Sequence, residues 1–159
     1  MRELNAVRGR MLAQAYARAP KEAREELGGL KKDPLFVAGV VLYGAKGDAK
    51  AEGPITFTTA VPALARVFGQ FLVGVCAIPE GKVRMHLLLY PGVDEWLAKI
   101  HWAREAGLPA RNFTKCSRIS GKGREGEFGF CTLTVSNAYL KCKLRTWITE
   151  LPKQLIDRR

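Results

Sequence analysis

Lys82, Arg84 and His86 alternate with Val83, Met85 and Leu87. That spacing puts three nitrogen-bearing side chains on one side of an extended segment and apolar ones on the other. Leu89 continues the apolar face, and Leu88 and Tyr90 close the polar one. Thr56 and Thr58 alternate in the same way with Ile55, Phe57 and Thr59, and Thr132 and Thr134 with Cys131, Leu133 and Val135. In a weaker pattern, Lys115 and Ser117 share a face with Phe113 and Ile119. A half-exposed sheet ordinarily carries acids among its outward residues; these segments carry none. In a DNA groove Arg and Lys read guanine, and Ser or Thr read several base edges. Arg118, Lys122 and Arg124, in or beside the glycine-rich stretch 121–126, are placed to hold flanking phosphates.

Such strands need a scaffold, and the chain is long enough to build one. Its 159 residues suit one compact domain, with 47% hydrophobic residues for a core. Against 15 acids stand 26 lysines and arginines, a formal net charge of +11. A domain that basic points to a polyanion, with nucleic acid first. No stretch reaches the roughly 20 consecutive apolar residues of a membrane span. The charged N-terminus lacks the apolar core of a signal peptide, so a cytoplasmic location is expected, without membrane association. Cys76, Cys116, Cys131 and Cys142 lack the paired C-x-x-C spacing of zinc sites. Cys116 and Cys131 can face each other across a hairpin; in a reducing compartment they are read as buried thiols.

The elements follow from periodicity. Residues 2–28 read as a charged helix, broken or turned near Pro20 and ended by Gly28-Gly29, with Leu4, Val7, Met11 and Leu12 as a modest stripe. Residues 1–30 form this N-terminal charged segment, and 31–159 form the main domain. A helix over 34–46 opens with Asp33-Pro34, an N-cap followed by proline at the first helical position. Gly47 fits a left-handed closing residue. Lys46 is its last side chain, where a cation suits the helix dipole by roughly 0.3–1 kcal/mol. Gly39, Gly44 and Ala45 weaken a lone helix but let a second backbone approach. A strand at 54–59, a helix at 61–74 and a strand at 82–90 come next. A helix over 93–106 follows, with Trp96, Leu97 and Ile100 inward. Strands at 113–119 and 127–136 flank the glycine loop as a hairpin. A last helix, 137–150, opens at Asn137 and turns Leu140, Leu144, Trp147 and Ile148 inward. The order predicts an α+β domain with one sheet.

Gly39-Val40-Val41-Leu42-Tyr43-Gly44-Ala45-Lys46-Gly47 resembles the nine-residue motif of the LAGLIDADG homing endonucleases. It is most similar to bacterial members whose motif reads like G-V-A-L-Y-W-G-E-G. Other segments agree in order: Glu26 to Leu30, Ile55 to Thr58, then Trp102, Gly107-Leu108-Pro109 and Phe113, and finally Gly129 to Asn137. The likeness covers residues 26–150. It implies a LAGLIDADG-type saddle: one mainly antiparallel sheet with helices on one face, and a single motif per chain. Single-motif members pair as homodimers through the motif helix, which places Gly39, Leu42, Tyr43, Gly44 and Ala45 at a dimer interface. The implied partner is double-stranded DNA with a pseudo-palindromic target.

In the family the residue before the final glycine is an acid that holds Mg²⁺ against the cleaved phosphates. Here that position is Lys46, which cannot ligate a cation while charged. The leading expectation is therefore sequence-specific duplex binding with site-specific phosphodiester cleavage lost. An active Mg²⁺-dependent endonuclease using Asp48 as a displaced ligand is the first alternative. An RNA-binding, maturase-like protein is the second. A gene lying inside an intron or intein would point to homing, and a stand-alone gene to a repurposed binder.

Overall fold

The computed structural model describes residues 1–48, 50, 52–123 and 127–157. These residues form helices α1 (Arg2–Leu30), α2 (Pro34–Lys46), α3 (Pro62–Gln70), α4 (Glu95–Ala106) and α5 (Ala138–Ile156). Strands β1 (Ile55–Thr59), β2 (Arg84–Leu89), β3 (Phe113–Arg118) and β4 (Phe130–Val135) complete an α+β architecture with one four-stranded sheet.

The sheet order is β1-β4-β2-β3. β4 runs antiparallel to both β1 and β2, whereas β3 lies parallel to β2. The expected hairpin between the last two strands does not form. α4 returns the chain to the starting end of β2, so β3 is laid down parallel, as crossover connections require. β4 then enters the sheet centre, where Cys131, Leu133 and Val135 are all buried. β3 carries exposed Lys115 and Arg118 and takes the edge, where unpaired backbone is tolerated beside charge. Cys116 and Cys131 therefore do not face each other: both register with Leu87, from opposite sides of β2, and both thiols are free.

Two further corrections concern strand edges. A register irregularity between Met85 and Leu87 sets Phe113 opposite Met85, so Phe113 packs on the core side rather than beside Lys115 and Ser117. Lys82 lies outside β2, on the 3-10 turn Glu80–Lys82 that leads into it.

Local chemistry sets the helix ends. Asp33 accepts from the Leu35 amide at 2.8 Å and Pro34 occupies the first turn of α2. Gly47 closes α2 with φ −77°, extended rather than left-handed. Glycine is required there because a Cβ would overlap the Tyr43 ring, not because of its φ. Gly47 bridges to Phe57, joining the end of α2 to β1. Asp94 caps α4 through the Leu97 amide at 2.8 Å, and Gly107, at φ 69°, ends it in the left-handed region.

α4 does not turn its large apolar residues inward. Trp96, Leu97 and Ile100 are 69%, 56% and 46% exposed. The buried stripe is Ala98, Trp102 and Ala106. Two alanines allow close approach to α3, and the Trp102 indole donates to the Phe128 carbonyl at 2.9 Å. α1 is also longer than its sequence suggests, and it is continuous. It passes through Pro20, Gly28 and Gly29 without a break, although proline leaves one helical hydrogen bond unmade. Its second half packs on α5 through Ala19, Ala23 and Leu27, and the Trp147 indole donates to the Ala23 carbonyl at 3.0 Å. Residues 1–14 are exposed throughout.

The core lies between the helices and one sheet face. Phe57 stacks on Phe68 with ring centroids 4.5 Å apart, and Trp147 meets Phe36 edge-on at 5.0 Å. Among the described residues no helix is long and apolar enough to cross a membrane.

Candidate nucleic-acid interface

The strand residues that point away from this core form aligned rows across the sheet. Thr56, Thr134 and Arg84 sit side by side on β1, β4 and β2. Thr58, Thr132 and His86 form the next row. The Thr58 and Thr132 hydroxyls are 2.7 Å apart, and His86 Nε2 lies 3.0 Å from the Ser117 hydroxyl on β3. Lys115 precedes Ser117 by two and stands exposed on the same side. Leu88 and Phe130 end the face. No Asp or Glu occupies these strand positions. None of the ion pairs among the described residues involves Lys82, Arg84 or Lys115. The face thus combines these cations with hydroxyls: Thr58 and Thr132 hold each other, Ser117 is held by the His86 imidazole, and the Thr56 hydroxyl donates to Asp48 at 2.7 Å.

The structure therefore brings together Thr56, Thr58, Arg84, His86, Lys115, Ser117, Thr132 and Thr134. Lys82 stands at one corner, and Lys122 is exposed in the loop after β3. Arg118 is used differently from the phosphate role read in its sequence position. Its Nη1 donates to the carbonyls of Val93 at 2.6 Å and Tyr90 at 3.1 Å, clamping the link between β2 and α4. Arg124 lies outside the described residues.

At the end of α2, Lys46 is exposed. Asp48 is not free to replace it as a metal ligand. Its Oδ2 accepts from the Thr56 amide at 3.1 Å and the Thr56 hydroxyl at 2.7 Å. Its Oδ1 accepts from Lys141 Nζ at 2.7 Å and the Lys50 amide at 3.2 Å. Lys141 is only 2% exposed and donates also to the carbonyls of Pro54 at 2.9 Å and Glu52 at 3.2 Å. All three ammonium protons are therefore used. Burial alone would raise the Asp48 pKa, but hydrogen bonds from Lys141 and Thr56 outweigh it and hold the carboxyl below its ordinary value of 3.8. Burial likewise pushes the Tyr43 phenol up to about 12, with Asp48 adding to the effect. A Mg²⁺ ion at Asp48 would meet the Lys141 ammonium and a carboxylate already engaged by four donors. The residues present do not fit the metal that the sequence resemblance implies. No group of three or more His, Cys, Asp or Glu among the described residues is arranged to hold one elsewhere.

Lys141 was not picked out from the sequence, although a signal exists. It stands between Leu140 and Leu144 on the inward arc of α5, and a lysine there must find a buried acceptor. Arg145, four residues on, is exposed. With Tyr43, Gly44, Gly47, Asp48, Ile148 and Thr149 it lines a hollow of about 230 Å³ beneath Lys46's helix.

The expected pairing face of α2 also shifts. Gly39 and Tyr43 are buried within their own chain: a Cβ on Gly39 would overlap the Phe71 ring, and Tyr43 stacks toward Phe68. Neither is available to a second copy. Leu42 packs partly on the core. Gly44 and Ala45 are exposed beside Val41, which is 52% exposed. Val40, Val41, Gly44, Ile148, Leu151 and Pro152 line a shallow apolar groove between α2 and α5.

Comparison with family models, curated proteins and solved structures finds no match to this chain.

Proposed function

We propose that this chain binds double-stranded DNA as a homodimer of the LAGLIDADG saddle type, without metal-dependent cleavage. The observation that carries the reading is a sheet face whose strand positions hold no acid, with Arg84, Lys115 and His86 set among four threonines and Ser117. Arginine and lysine there supply guanine contacts and phosphate attraction, while the aligned hydroxyls read base edges at close range. In the dimer, the exposed face of α2 formed by Val41, Gly44 and Ala45 meets its copy. Two sheets then form one continuous surface, and the target is pseudo-palindromic. Lys46 from each subunit stands near the two-fold axis and meets the central phosphates as a cation. It supplies the charge that the family's metal would supply, but no nucleophilic water.

The test is a fluorescence-anisotropy titration of random and selected duplexes at several salt concentrations, repeated with structured RNA as competitor and with EDTA or Mg²⁺. Affinity should fall steeply with salt and be the same in EDTA and Mg²⁺. Arg84→Ala should cost about 1–3 kcal/mol on a preferred duplex if it reads a base. A salt-independent affinity, or preference for RNA over every duplex, would overturn the reading.

A further inference from the structure

Beside the sheet face, Ile78, Pro79, Gly81, Lys82 and Arg84 meet Thr134, Val135, Ser136 and Asn137 around a cleft of about 630 Å³. We infer that this cleft binds one phosphate ester of nucleotide size. Its phosphate would lie between Lys82 and Arg84, and its apolar part on Ile78 and Pro79.

Four features of the cleft support this. Its volume lies within the roughly 300–1,000 Å³ of small-molecule sites, so it can take more than a bare anion. Its two cations come from adjoining elements, the 3-10 turn and the first residue of β2, so they face one ligand from a fixed backbone. Neither has an acid partner among the described residues. The acid nearest in sequence, Glu80, is paired with Arg111 at 3.8 Å, and its carbonyl accepts from the Asn112 amide side chain at 2.8 Å. Hydroxyls of Thr134 and Ser136 complete the rim as donors to phosphate oxygens. Asn137 is committed to the Leu140 amide at 2.9 Å, which fixes the β4–α5 corner.

Two sources offer this chemistry: a nucleotide of a bound DNA strand, or a free mononucleotide. The first rests on the proposed DNA binding; the second does not. Calorimetric titration of the full chain with deoxyadenosine monophosphate and with inorganic phosphate tests the cleft directly. Lys82→Gln/Arg84→Gln serves as the comparison protein. A duplex titration over a range of salt, with and without the mononucleotide, tests the source.

Saturable mononucleotide binding that weakens about tenfold or more in the double variant supports the cleft. If the mononucleotide also competes with duplex, and the variant's salt slope falls by about one, the ligand is a DNA nucleotide. A fallen slope without mononucleotide binding overturns the cleft, because cations on the open sheet face alone would give it. Mononucleotide binding that leaves duplex affinity and slope untouched assigns the cleft to a free ligand. If wild-type protein binds no duplex at all, the DNA reading fails while nucleotide binding still decides the cleft. Absence of both mononucleotide binding and a slope change, in a variant whose circular dichroism matches wild type, overturns the inference.

Discussion

Asp48→Asn should destabilise the fold more than Lys141→Met, although both break the same 2.7 Å pair. The reason is which charge remains. After Asp48→Asn, the Lys141 ammonium stays 2% exposed with only two carbonyls and a neutral amide oxygen around it. Leaving an uncompensated buried charge costs about 3–5 kcal/mol. After Lys141→Met, the remaining carboxylate is 21% exposed and keeps three donors, from Thr56 and Lys50. Loss of one charge-assisted hydrogen bond then costs about 1.5–3 kcal/mol. The double variant holds no buried cation. Its cost should fall short of the sum by about 1–3 kcal/mol. Urea unfolding at constant m-value measures all three proteins, and melting should drop by roughly 6–20 °C for Asp48→Asn. The pH dependence has a definite sign. Asp48 is held below its ordinary pKa of 3.8, so its contribution is complete above that value and fades as pH falls through the lower folded value. Lys141→Met should flatten that acid limb. An Asp48→Asn protein as stable as Lys141→Met, or costs that simply add, would refute the assignment of Lys141 as a cation dependent on Asp48.

Gly39→Ala should cost about 1–3 kcal/mol in chemical denaturation, because its methyl group must displace the Phe71 ring. Val41→Glu should leave the fold intact but shift the protein toward monomer in light scattering, and weaken duplex binding in parallel; an unaffected dimer would move the interface elsewhere. Burial raises the thiol pKa of Cys76 and of Cys131 to about 12, so neither should be alkylated at pH 8 in the native protein, and both should react in urea.

The polar faces of β1, β2 and β4 were legible from alternation because each strand is buried on one side, and a period of two then leaves no freedom of register. Strand partners were not. The glycines at 121, 123 and 126 read as a hairpin signal, but pairing is a long-range property, and the helix between β2 and β3 decides it. α4 misled for a different reason: Trp96, Leu97 and Ile100 are apolar enough to suggest a core. The helix instead buries Trp102 between Ala98 and Ala106, and the two alanines let it approach α3 closely. Gly47 by its type suggests a left-handed helix stop, whereas steric room beside Tyr43 is what requires it. At the candidate site, the resemblance implied that Lys46 stands where the motif carries an acid. It did not show that Asp48 is tied to Lys141, 93 residues away. Only the folded chain brings that pair together.

The central place of β4 also constrains when the sheet comes into being. β1 has no strand neighbour except β4, and β2 meets β1 only through it. During synthesis β1 emerges about seventy residues before its partner. Until then the backbone groups that β1 will give to β4 must be served by water or by transient partners, while its other side already meets Gly47 and Asp48. Closing such long loops is entropically slow, so β4 insertion should limit the folding rate. A chain interrupted before Phe130 would present two unpaired strand edges at once, a form suited to aggregation rather than to partial function.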